Sequence, residues 1–242
     1  MASNSEVTFG AKIANASKIS ANLKTFVGFV APTTNTSIVN YDALIATITG
    51  ENTGVATKKA AYSAAVEVRQ KLFFKDKDCV LKVLSPVTSA VRAKLGKTAK
   101  PVTDITALVV KIRGEKKAKP KDPKPADAQA EATKDTVSQS EKSYGSITQT
   151  FNDIVTSITT LATDYAPVNA AHKLPALTAK LASIKTANDG ATTTFGALKT
   201  GLDNRSNQYA DLTERTQRIK EAVKSQYGVG STEYSLIKGL KV

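Results

Sequence analysis

The stretches AVRAKLG (90–96) and AVKSQYG (222–228) lie 132 positions apart, and their likeness decides how the chain is read. Each has the form of the last turns of an amphipathic helix closed by a glycine. Glycine adopts the left-handed conformation that ends many helices without the steric penalty of a Cβ. The pairing spreads outward at the same offset: Val87 matches Ile219, Ile105 matches Ile237 and Leu108 matches Leu240. At an offset of 135, EVTFGAKIANASKISANLKTFVGFVAP (6–32) lies over EKSYGSITQTFNDIVTSITTLATDYAP (141–167). Two blocks in the same order imply an internal duplication with a period longer than that of ordinary solenoid repeats. The change of offset is expected in the loop after Ala-Pro, where the second copy is about three residues shorter.

Each copy reads as helices. In the opening segment Phe9, Ile13, Ala16, Leu23, Val27 and Val30 recur at spacings of three and four, with Ala31-Pro32 as the stop. Tyr144, Phe151, Val155, Ile158, Ala162 and Tyr165 repeat the stripe. A longer helix follows, carried by Leu174, Leu177, Leu181, Ile184, Ala191, Phe195, Leu198 and Leu202, a coiled-coil-like register with Asn188 as its polar member. Its counterpart runs from Tyr41 to about Phe73. A third helix is expected to start at Asp211, whose spacing to Glu214 is that of a capping box. In the first copy Pro86 is expected to interrupt that helix, with Ser85 capping a restart. Short fourth helices are expected at about 101–112 and 232–239. Between the copies lies GEKKAKPKDPKPADAQAEATKD, a stiff, solvated composition that reads as a linker.

The composition agrees with helix-on-helix packing. Among 242 residues there are seven Tyr, seven Phe and no Trp, so the core is drawn mainly from aliphatic residues. Cys79 is the single cysteine, which excludes an intrachain disulfide. No basic stretch followed by an apolar core opens the sequence, and the expected location is cytoplasmic. The net charge is +13, and residues 1–113 hold 16 Lys and Arg against 7 Asp and Glu.

No chemistry-bearing constellation emerges, and no cofactor or metal is expected. His172 is the only histidine and stands alone in a loop, without partners for a zinc site. The glycines near 228–230 follow a helix and lack the Lys-Ser/Thr of a phosphate loop. Asp76 and Asp78 open like a calcium loop, but the apolar CVLKVL after them supplies no further ligands. The remaining candidate is electrostatic. Lys71, Lys75, Lys77, Arg92, Lys94, Lys97 and Lys100 lie in a tract rich in cations and form a candidate polyanion-binding patch. No exposed aromatics are interleaved with them for base stacking.

The closing segment RIKEAVKSQYGVGSTEYSLIKGLKV (218–242) resembles the end of a group of uncharacterised bacterial all-helical proteins. These finish in a Lys-x-x-Val-Lys-x-x-Phe-Gly-x-x-Ser-x-Glu-Tyr type of pattern, here on Lys220, Val223, Lys224, Tyr227, Gly228, Ser231, Glu233 and Tyr234. Tyr227 replaces the Phe, and the first copy has KTAKPVTD where the motif would end. The resemblance implies an all-helical fold and no particular activity.

The expected fold is therefore all-α: two tandem pseudo-repeats, each an antiparallel helical bundle with one long helix. The boundaries are 1–113, a Lys/Pro/Ala-rich linker at 114–137, and 138–242. The expected function is a non-enzymatic structural or scaffold protein that self-associates or binds partners through long amphipathic helices, as a homo-oligomer, a filament or another assembly. The alternative is a basic protein that binds nucleic acid without sequence preference. Neither a membrane span nor a small-molecule substrate is indicated.

Overall fold

The computed structural model describes residues 8–114 and 142–242, and all regular structure in them is helical. The expected linker at 114–137 lies outside these residues except for Gly114. Seven α-helices are described: α1 (Phe9–Leu23), α2 (Ile38–Gln70), α3 (Val80–Leu95), α4 (Lys100–Arg113), α5 (Tyr144–Thr160), α6 (Leu174–Tyr227) and α7 (Thr232–Lys238). None is long and apolar enough to cross a membrane.

The helix ends depart from the sequence reading in three places. First, α1 stops at Leu23, well before Pro32, and Gly28 takes a left-handed φ of 79° in the segment that follows. Val27 and Val30, expected on the buried stripe, are 92% and 67% exposed. The unwound backbone is satisfied from α6: Gln226 donates Nε2–H to the Val30 carbonyl at 2.6 Å and accepts the Val30 N–H at 3.0 Å. Tyr227 donates its hydroxyl to the Val27 carbonyl at 3.0 Å.

Second, α3 runs through Pro86 without a break. Proline forfeits one intrahelical bond and strains the preceding turn, at a cost of about 3 kcal/mol. The flanking Val83, Leu84, Val87 and Thr88 are all buried, and that burial holds the helix across the defect. Third, the long helix and the third helix of the second copy are one continuous α6 of 54 residues. Asp211 does not cap a new helix; its carboxylate takes a two-bond contact from Arg215, at 2.8 and 2.7 Å. Neither proline nor a turn sequence interrupts LDNRSNQYAD, so the helix continues. In the first copy α2 instead ends in a π-turn at Lys71–Lys75 and a short link to Val80. The glycine stops are as expected, since Gly96 and Gly228 cap α3 and α6 at φ of 83° and 94°.

The chain divides into two compact units, and their boundaries fall inside α2 and α6. Unit 1 comprises Met1–Tyr62 and Thr194–Val242; unit 2 comprises Ser63–Thr193. Each unit thus combines material from both sequence halves. The core of unit 1 is Ala16, Ile19 and Leu23 of α1, Tyr41 and Ile48 of α2, and Tyr209, Leu212, Ile219 and Val223 of α6, closed by Phe26 and Ile237. Inside it the Tyr41 and Thr216 hydroxyls are hydrogen-bonded at 2.6 Å, and burial pushes the Tyr41 phenol up to about 12. In unit 2 the core is drawn from Phe73, the buried stripes of α3 and α4, Ile147 to Ile158 of α5, and Leu177, Leu181 and Ile184 of α6. Cys79 is buried in this unit, as a small apolar residue would be.

Candidate functional site

A matched group of polar and aromatic side chains occurs once in each unit. In unit 1, Asn52 of α2 donates Nδ2–H to the Tyr209 hydroxyl at 2.9 Å, and that hydroxyl donates to the Phe9 carbonyl at 3.0 Å. The rings of Phe9 and Tyr209 lie 4.6 Å apart, with the Arg205 guanidinium 4.4 Å above Phe9. In unit 2, Asn188 of α6 donates Nδ2–H to the Thr148 hydroxyl at 2.9 Å. Tyr144 meets Phe73 edge-on at 5.0 Å, and the Arg69 guanidinium lies 4.0 Å over the Tyr144 ring. Each arginine is positioned for a cation–π contact.

The spacing behind this match is constant. Asn52 to Arg69 and Asn188 to Arg205 are both 17 residues, and an aromatic follows four later at Phe73 and Tyr209. Both asparagines sit in Asn-x-Gly, 136 positions apart. That offset carries past Phe73 and Tyr209, whereas Val80 onward pairs at 132. Phe73 to Val80 spans four residues more than Tyr209 to Leu212, and the π-turn and the link before α3 occupy that stretch. The constant Asn-to-Arg spacing was present in the sequence and is the signal that would have located the group. Burial is incomplete in hydrogen-bonding terms: the Oδ1 atoms of Asn52 and Asn188 and the Nε of Arg69 have no partner among the described residues. Such atoms weaken the groups that carry them by leaving desolvation uncompensated. The arrangement ties the first residue of α1 to α6 in unit 1 and α5 to α6 in unit 2.

The seven cations singled out from sequence are all exposed, and α3 divides them. Lys71, Lys75 and Lys77 precede its start at Val80. Lys71 pairs with Glu67 at 2.8 Å, and Lys75 donates to Gln70 at 2.6 Å. Arg92, Lys94, Lys97 and Lys100 gather where α3 turns into α4, some 18 Å or more further along the helix at about 1.5 Å per residue. There Arg92 donates to the Thr106 hydroxyl at 3.2 Å and Lys100 pairs with Asp104 at 2.8 Å. Lys94 and Lys97 have no ion pair among the described residues. His172 lies in the short 3-10 turn Ala170–His172, where its carbonyl accepts the Tyr165 hydroxyl at 2.6 Å. Among the described residues no group of His, Cys, Asp and Glu is arranged to hold a metal.

Apolar exposure on the heptad stripe of α6 supplies another candidate surface. On α6 Leu198 is buried, but Phe195 and Leu202 of the same heptad stripe are 52% and 39% exposed. Tyr62 of α2 packs its ring 5.5 Å from that of Phe195 within unit 1. No protein-family model, curated protein or solved structure matches the chain.

Proposed function

We propose that this chain is a non-enzymatic helical scaffold that associates with further copies of itself through the exposed stripe of α6. The observation that carries this reading is Phe195 and Leu202, seven residues apart and hence on one helix face, left exposed in a continuous register. Covering two such side chains removes apolar area from water at about 25 cal/mol per Å². The test is light-scattering mass on a sizing column at low and high salt. The reading expects an oligomer that persists at high salt and is lost in Phe195→Ser/Leu202→Ser. A monomer under both conditions would overturn it.

The repeat reading takes a specific form here. Each sequence copy gives its first helix and the start of its long helix to one unit, and its closing helices to the other. Two copies of a half-length chain would intertwine in this way, so the molecule reads as a fused, duplicated dimer. Support comes from the Asn–Arg–aromatic spacing that recurs once per unit. The Lys/Pro-rich stretch 114–137 then serves only to connect the copies.

A second reading rests on the exposed cluster Arg92, Lys94, Lys97 and Lys100 at the turn between α3 and α4. Four cations there suit sequence-indifferent binding of a nucleic-acid backbone, with affinity falling steeply as salt rises. Fluorescence anisotropy with a labelled duplex tests it. Lys94→Gln/Lys97→Gln/Lys100→Gln is expected to weaken binding, and an unchanged isotherm would dismiss the patch.

A further inference from the structure

Unit 1 carries a cleft of about 340 Å³ lined by Lys12, Thr213, Thr216, Gln217, Lys220, Lys241 and Val242. That is near the lower end of small-molecule pockets, which run from about 300 to 1,000 Å³. The charged groups in the lining are three lysines and the α-carboxylate at Val242, with no Asp or Glu side chain among them. The neighbouring acids on α6 are already committed: Asp211 to Arg215 at 2.7 Å, Glu214 to Arg218 at 2.6 Å, and Glu221 to Lys224 at 3.4 Å. Lys12 and Lys241, by contrast, form no ion pair among the described residues.

The cleft is held by hydrogen bonds. Lys220 is half-buried and donates Nζ–H to the Leu240 and Lys238 carbonyls at 2.5 and 3.3 Å. Asn15 donates to the Lys241 carbonyl at 2.8 Å, and Thr213 to the α-carboxylate at Val242 at 3.2 Å. Burial lowers the Lys220 pKa by desolvating its ammonium group. Unit 2 makes the contrast. At the offsets of 132 and 135, Thr216, Lys241 and Lys12 correspond to Leu84, Val109 and Ile147, all buried in its apolar core. At these three positions unit 2 carries aliphatic side chains and unit 1 two lysines and a threonine, while Lys220 corresponds to the buried Thr88.

We propose that the cleft between α1, the C-terminal part of α6 and the segment after α7 binds a small phosphate-class oxyanion, gripped by Lys12, Lys220 and Lys241. An oxyanion accepts charge-assisted hydrogen bonds from ammonium groups and from the Gln217 amide, and three lysines against the one carboxylate at Val242 leave the lining net positive. The site is independent of the self-association stripe and of the basic turn between α3 and α4.

The test is a titration of the full chain with inorganic phosphate, and separately pyrophosphate, followed by amide NMR shifts. Sodium chloride at matched ionic strength is the control. Saturable shifts at Thr213, Gln217 and Lys241 are expected, with chloride inert. Lys12→Gln/Lys241→Gln is expected to weaken binding at least about tenfold while leaving the melting temperature unchanged, since both side chains lie outside the core. Lys97→Gln/Lys100→Gln should bind as the parent does. Tighter binding of pyrophosphate than phosphate would identify a ligand with more than one phosphate group; equal binding, a single phosphate. Equal shifts with chloride, no saturable shift with either anion, or equal weakening by the Lys97/Lys100 variant would overturn the proposal.

Discussion

Asn52 donates its side-chain amide to the hydroxyl of Tyr209 at 2.9 Å, across 157 residues of sequence and between the two sequence halves. The same hydroxyl donates to the Phe9 carbonyl. Tyr209→Phe keeps the ring and removes both bonds, leaving the Asn52 amide without a partner in a part-buried site. A loss of about 1–2 kcal/mol is expected from the denaturation midpoint. Thr148→Val removes the corresponding partner of Asn188 in unit 2 and should cost a similar amount. A neutral result in both variants would show that these asparagines find water as readily as protein.

The helix glycines separate into two kinds. A Cβ at Gly50 or Gly54 would meet nothing within 4 Å, so replacing either by Ala should stabilise α2 by about 0.5–1 kcal/mol through helix propensity alone. At Gly201 a Cβ would stand 2.9 Å from the Lys58 side chain, which holds Glu51 at 3.2 Å. Gly201→Ala forces Lys58 off Glu51 and should show less gain than Gly50→Ala or none. Urea denaturation of the three variants orders them; equal gains would remove the special role of Gly201.

Two carboxylates give the stability a defined pH dependence. Partial burial raises the Asp42 pKa, but hydrogen bonds from Lys24 at 2.7 Å and from Ser20 outweigh it and hold the group below the usual range. Lys180, 3.0 Å away, lowers Asp78 likewise. A depressed folded pKa contributes stability above the unfolded value near pH 4 and loses it as pH falls through the folded value. Both carboxylates are more than a third exposed, so each contribution is under about 1 kcal/mol. The parent should lose more stability than Asp42→Asn/Asp78→Asn between about pH 5 and pH 3. Parallel pH profiles would contradict the assignment.

The all-helical character and most helix positions were legible in the sequence, because apolar spacing of three and four is read directly by a core. The glycine stops were legible as well, since Gly96 and Gly228 need a positive φ that other residues resist. What was not legible depended on tertiary partners. Pro86 inside α3 is tolerated only because the residues around it are buried. Val27 and Val30 leave the interior because Gln226 and Tyr227, almost 200 residues away, satisfy an unwound backbone. The assignment of each half's helices to different units leaves no mark on hydrophobic periodicity, which is blind to which helix supplies the facing surface. The lysine-lined cleft was equally hidden, because Lys12 and Lys241 lie at opposite ends of the chain.

The central claim is that each compact unit is assembled from both halves of the sequence. The most direct measurement inserts a protease site between Gly114 and Lys142 of the full chain, cleaves it, and follows the fragments by sizing chromatography and thermal melting. The two fragments are expected to stay together as one native species and to separate only on unfolding. Two separately eluting, folded fragments would contradict it.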